Sequence, residues 1–177
     1  MILPILALLA FDCNAGSKVV GPLPTERQIL ATDSRYRQRL DTLGTLEAVS
    51  GTPDQVFDAL IAVYADLHLP VTDPDKEGHR VGVRGAKCMR QIGKSQISRF
   101  LDCGSGMTGA NADSYRITLT VISSIKVELP ARASIATFVT AEAVDMSGSA
   151  SDRLGCSSTG QLEAELTKRV KLKLVQP

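Results

Sequence analysis

From Tyr115 to Leu129 the chain reads YRITLTVISSIKVEL, in which Tyr115, Ile117, Leu119, Val121, Ile125, Val127 and Leu129 alternate with Arg116, Thr118, Thr120, Ser124, Lys126 and Glu128. A period of two puts the apolar side chains on one face of a strand and the polar ones on the other. A strand with one dry and one wet face belongs to an antiparallel sheet covered on one side only. Pro130 turns the chain, and the weaker alternation of ASIATFVTAEAV makes that segment the antiparallel partner.

Two amphipathic segments can cover the dry face. In TPDQVFDALIAVYADLHLP, Thr52 is an N-cap with Pro53 at the first helical position, Gln55 completes a capping box, and Asp54 suits the positive dipole end. Val56, Leu60, Val63 and Leu67, flanked by Phe57, Ile61 and Tyr64, form one helical stripe, and Pro70 stops the helix. In GQLEAELTKRVKLKL, Leu162, Leu166, Val170 and Leu174 recur at helical spacing, with Ser158 and Gln161 able to form a second capping box. TLGTLEAVS reads as a first strand ended by Gly51. Val81 and Val83 alternate with Arg80, Gly82 and Arg84, SQISRFLD reads as a further strand ending at Cys103, and DMSGSASDRLGCSST reads as a loop. The order strand, helix, strands, helix predicts an α+β fold, an antiparallel sheet with two helices on one face. A length of 177 residues with 44 % apolar residues suits a single domain over 43–177, preceded by a Pro-, Gly- and charge-mixed tether over 16–42.

The stretch TLEAVSGTPDQVFDALIAVYADLHLPVTDPDKEGHRVGVRG resembles the helix-grip domains of BamC-type bacterial outer-membrane lipoproteins, where a capped helix precedes a short strand, an acidic turn with Gly and a further strand. SGTPDQVFDAL is also similar to the opening of START-like ligand-binding domains, a hollow version of the same architecture. The resemblance covers roughly residues 45 to 145. It implies a helix-grip fold and an envelope setting, with a partner surface in the first family and an apolar-ligand cavity in the second.

The N-terminus, MILPILALLAFDCNAGS, carries an apolar run from Ile2 to Phe11 that is too short to span a bilayer but has the length of a signal-peptide core. Residues 1–15 are therefore read as a leader, which implies an exported protein, periplasmic or envelope-anchored or secreted. Two processing schemes stand open: Cys13 as the lipid-modified residue of a lipoprotein, or a cut after Ala15 with Cys13 and Ala15 as the small pair. Phe11 and Asp12 stand where the lipoprotein motif has small residues. Cys103 in DCGSG and Cys156 in LGCSSTG lie in Gly/Ser-rich sequence able to meet disulfide geometry, so they are expected to pair and leave Cys88 free.

Charge and aromatic content narrow the partners. Twenty Lys plus Arg against nineteen Asp plus Glu give a net charge of +1, and aromatics are 4 % with no Trp. No nucleic-acid partner is expected, and the only membrane contact expected is through an N-terminal lipid anchor.

The chemical motifs are thin. Gly104, Gly106 and Gly109 have the spacing G-x-G-x-x-G, but the following residues read as a strand, so the helix N-terminus that would receive a phosphate is missing. Ser105 lacks a nucleophile-elbow context. His68 and His79 have no partner at metal-ligand spacing, and Asp73, Asp75 and Glu77 are interrupted by Pro74 and Lys76. Lys87 and Arg90 flank Cys88 and could lower its thiol pKa. Lys168 to Lys173 read as the wet side of a helix. No catalytic residue, cofactor site or metal site is therefore expected. The reading is a non-catalytic envelope module that binds another envelope protein, with a small apolar-ligand carrier as the alternative. The medium-sized residues facing inward predict a closed core, with Ser123 its clearest polar member.

Overall fold

The computed structural model describes residues 13–14, 45–107, 109–129, 131–146 and 153–175. The apolar leader run and the tether read over 16–42 lie outside the described residues. The chain forms a mixed α+β fold dominated by an antiparallel sheet. Strand β1 (Thr45–Ser50) leads into helix α1 (Pro53–Asp66), and β2 (Arg80–Met89) follows. A short hairpin, β3 (Gln91–Ile92) and β4 (Ser95–Gln96), and a 3₁₀ turn (Ile97–Arg99) lead to β5 (Leu101–Asp102). A second small hairpin, β6 (Ser105–Gly106) and β7 (Gly109–Ala110), is followed by one helical turn, α2 (Asn111–Ser114). Then come the two long strands, β8 (Arg116–Leu129) and β9 (Arg132–Val144), strand β10 (Arg153–Ser158) and helix α3 (Gln161–Val175).

The sheet order is β2-β8-β9-β10-β5, with β1 also on β9. β9 is the hub. One of its edges carries β8 from Ile135↔Ile125 to Val144↔Arg116, and the other is shared by β1 at residues 132–137 and β10 at residues 141–144. Because Ser123 stands opposite Thr137, the odd-numbered residues of both long strands share one face. β2 joins that face despite a bulge between Val83 and Ala86. Gly85 sits there at φ 63, a left-handed conformation that glycine adopts without strain, and the extra residue returns Ala86 and Cys88 to the row of Val81 and Val83.

Helices α1 and α3 pack on this dry face and on each other. The capping box of α1 is formed: Thr52 Oγ1 accepts from the Gln55 amide, and Gln55 Oε1 accepts from the Thr52 amide. Its stripe of Val56, Phe57, Leu60, Val63 and Tyr64 is buried, as are Leu162, Leu166 and Val170 of α3. The cap of α3 differs from expectation. Gly160 at φ 79 separates Ser158 from the helix, so Thr159 Oγ1 accepts from the Gln161 amide while Ser158 Oγ donates to Glu163 Oε1.

Three other readings are corrected. Cys88 is not free: it is bonded to Cys13, which brings chain from the expected leader against the sheet. This pairing is not legible in the sequence because the partners are 75 residues apart and Cys13 stands in a segment read as removed or acylated. The stretch read as a loop before α3 contains β10, whose Arg153–Cys156 half pairs with β9 and whose Ser157 and Ser158 pair with β5. SQISRFLD is not one strand but the end of a hairpin, a 3₁₀ turn and β5. The bridge between Cys103 and Cys156 is present and staples the chain before the β6–β7 hairpin to β10.

Candidate functional site

The chemical motifs resolve into structural parts. Gly106 and Gly109 face each other across the β6–β7 hairpin, with Met107 fully exposed at its tip. Gly104, at φ 74, gives its carbonyl to the Asn111 amide, and Asn111 Nδ2 donates to Cys103 O. The helical turn that follows, α2, was not foreseen, but it spans only Asn111–Ser114 before β8 begins. Ser105 is exposed on β6. Both half-cystines beneath the hairpin are buried. The glycines thus shape a hairpin next to the Cys103–Cys156 bridge.

The acidic turn is held by its own neighbours. Asp73 pairs with Arg84 at 2.9 Å and Asp75 with Arg80 at 2.6 Å. The Arg80 side-chain hydrogen bond, aided by the Gly78 amide, holds the Asp75 carboxyl below the ordinary carboxylate range. Among the described residues no group of His, Cys, Asp and Glu is placed to hold a metal ion. His68 and His79 both adopt left-handed backbone, at φ 55 and 52, in the turns after α1 and before β2. The basic run on α3 is largely paired within the fold: Lys171 with Glu47 at 3.0 Å, Lys173 with Asp66 at 3.0 Å and Arg169 with Glu165 at 2.8 Å.

A polar thread runs through the interior beneath α1. The Tyr64 hydroxyl lies 3.0 Å from Ser123 Oγ, and Ser123 Oγ lies 2.8 Å from Thr137 Oγ1. Burial pushes the Tyr64 phenol far above its ordinary range, with the Ser123 hydrogen bond opposing. The thread joins α1 to β8 and β9 and satisfies its own groups. Around it, Leu60, Val63, Val81, Leu119, Val121, Leu162, Leu166 and Val170 have essentially no accessible surface. No water-sized void therefore borders these residues. The core beneath α3 is filled.

The exposed apolar groups lie elsewhere. At the end of β8, Val127 stays in the dry-face row opposite Ala133 but is 57 % exposed, while a register shift between Val127 and Leu129 pairs Leu129 with Arg132 and takes Leu129, 59 % exposed and expected on the dry face, out of that row. At the start of β9 the Gly51 amide donates to Ala131 O, and Leu174 of α3 packs close to the glycine. Val175 is exposed at the adjoining end of α3. A groove of about 650 Å³ opens beside it, lined by Ser50, Gln55, Asp58, Ala59, Lys173, Leu174 and Val175. Sequence reasoning missed this end because periodicity records which face a residue is on, not where the covering layer stops. A second, mostly apolar groove of about 400 Å³ lies at the other end of α1, bordered by Cys13, Ile61, Ala65, Leu69 and Val71 among others. No family model matches the chain, and no curated protein matches its sequence.

Proposed function

We propose that this chain is a non-catalytic, exported module that binds another protein of the cell envelope through the end of the sheet where β8 outruns the helices. The carrying observation is the exposure of Val127 in a row whose members further in, Leu119 and Val121, are sealed, with Leu129 exposed beyond the register shift at the same strand end. Exposed apolar groups at a strand end are suited to a protein surface. Export is supported by the two disulfides, which suit an oxidising compartment. Among the described residues no helix is long and apolar enough to cross a membrane. Catalysis finds no support: the hydroxyls of Tyr64, Ser123 and Thr137 are buried on one another. The helix-grip relationship remains a proposal of pattern, resting on α1, its cap and the acidic turn. The carrier reading draws no support from the filled space under α3.

The test is site-specific photocrosslinking in the native host, with the probe at position 127 or 129 and, as control, at Thr140 on the opposite face. A discrete protein adduct at the first two positions alone is the expected result. Equal crosslinking at all three positions, or none, would defeat the reading. Thermal melting with and without an organic extract of the same cells separates the carrier: a bound apolar ligand at a hundred times its Kd adds about 2.7 kcal/mol, and a scaffold gains nothing.

A further inference from the structure

Cys13 has one sulfur and three fates are written around it: acylation, removal with a leader, or oxidation. In the structure its Sγ is bonded to that of Cys88, and both residues are buried, at 6 % and 0 % exposure. The next residue completes the attachment. The Asn14 amide donates to Lys87 O at 3.0 Å, and the Lys87 amide donates to Asn14 O at 2.9 Å, a reciprocal antiparallel bridge on the outer edge of β2. Further along the same edge the amides of Thr72 and Asp73 donate to Gly82 O. The edge is thus covered at one end by residues 72–75 and at the other by residues 13–14. Cys13 also walls the apolar groove, where it lies with Ile61, Leu69 and Val71.

We propose that Cys13 stays in the mature protein as a half-cystine, so that processing occurs N-terminal to it and its sulfur is oxidised rather than acylated. This rests on the export reading. A cut after Ala15 would leave Cys88 as a lone thiol in the core and expose the Lys87 amide and carbonyl at a sheet edge. Acylation would put a thioether on the sulfur that bonds Cys88 and would draw Cys13 out of its buried place beside α1.

The oxidation balances by exchange with a periplasmic disulfide oxidoreductase. The Cys13 thiolate attacks the enzyme's disulfide, releasing one enzyme thiolate and forming a mixed disulfide. The Cys88 thiolate then displaces the second enzyme thiolate. Two thiols lose two protons and two electrons, and the enzyme leaves as a dithiol. Cys13, beside the open groove, is the sulfur the oxidoreductase can reach. The product carries no lipid at this residue.

Intact mass of the protein from its native host, with and without reduction and alkylation, decides the matter. Expected are an N-terminus created by cleavage upstream of Cys13 that leaves Cys13 in the chain, no lipid mass, and four alkylations that occur only after reduction. In Cys88→Ala, Cys13 should become alkylatable without reduction while Cys103 and Cys156 stay paired. A diacylglyceryl mass on Cys13, an N-terminus beyond Ala15, or a Cys13 that resists alkylation in that variant overturns the proposal. An uncut chain with all thiols reduced would overturn it together with export. A lipidated or shortened chain leaves export standing and removes only this inference.

Discussion

Replacing both Cys103 and Cys156 with alanine should cost this fold about 4 kcal/mol, and the source of that figure is the unfolded chain. The bridge closes a loop of 53 residues. On the chain-entropy model such a closure removes about 14 cal/mol/K from the denatured ensemble, or about 4 kcal/mol at room temperature. The Cys13–Cys88 bridge closes 75 residues, and because the dependence is logarithmic it should be worth only about 0.3 kcal/mol more. Residues 13–88 and 103–156 do not overlap, so the two losses should add. Urea unfolding of the wild type, each double alanine variant and the quadruple variant provides the measurement. Each pair should lower the midpoint, and the denaturant slope should rise because the unlinked chain exposes more surface. Losses below about 1 kcal/mol per pair, or a slope unchanged in all variants, would mean that the bridges act on the native state and that the loop argument is wrong.

The closed core makes a second expectation: Leu119→Ala and Leu166→Ala, each at a site without accessible surface, should cost about 2–5 kcal/mol in chemical unfolding. Tyr64→Phe should cost about 1 kcal/mol, since Ser123 keeps its bond to Thr137. In the wild type the buried Tyr64 keeps its proton while unfolded tyrosine loses it near about pH 10, so the unfolded state binds fewer protons and stability should fall as pH rises past that point. Phenolate absorbance from Tyr64 should appear only with unfolding, and this alkaline loss should vanish in Tyr64→Phe. At the acidic turn, a Cβ on Gly78 would fall on the Asp75 carboxylate, so Gly78→Ala should disturb the Asp75–Arg80 pair. The depressed Asp75 carboxyl contributes stability above its ordinary range that is lost as pH falls through its folded pKa, and an NMR titration should show that pKa returning upward in the variant.

Local signals in the sequence carried well. The capping box at Thr52 and Gln55, the alternation from Arg116 to Ile125 and the stripe of Leu162, Leu166 and Val170 each depend on residues close in sequence, and each is present. The failures are non-local. β10 has little hydrophobic period because Gly155 and two serines occupy it, and it is a strand only because Ala141–Val144 and Leu101–Asp102 lie on either side. The bond from Cys13 to Cys88 depends on the edge of β2 being open where Asn14 arrives. At the candidate surface, Val127 carried the right face and the wrong burial, because the end of the helix layer is a property of the assembled fold, and Leu129 missed the face as well, because a register shift cannot be read from periodicity.

The hub position of β9 has a kinetic consequence. Its pairing with β8 closes across a tight connection, Leu129↔Arg132, and zips residue by residue at small loop cost. Its pairing with β1 joins Thr45 to Thr137, across most of the domain. The β8–β9 ribbon is therefore the natural nucleus, and β1 docks onto a hub already half built. Changes inside the ribbon, such as Val139→Ala, should slow folding, while Val49→Ala on β1 should chiefly hasten unfolding. Until β1 arrives, the edge of β9 from Arg132 to Thr137 stands open, and it is over that interval that the chain is most exposed to pairing with another copy of itself.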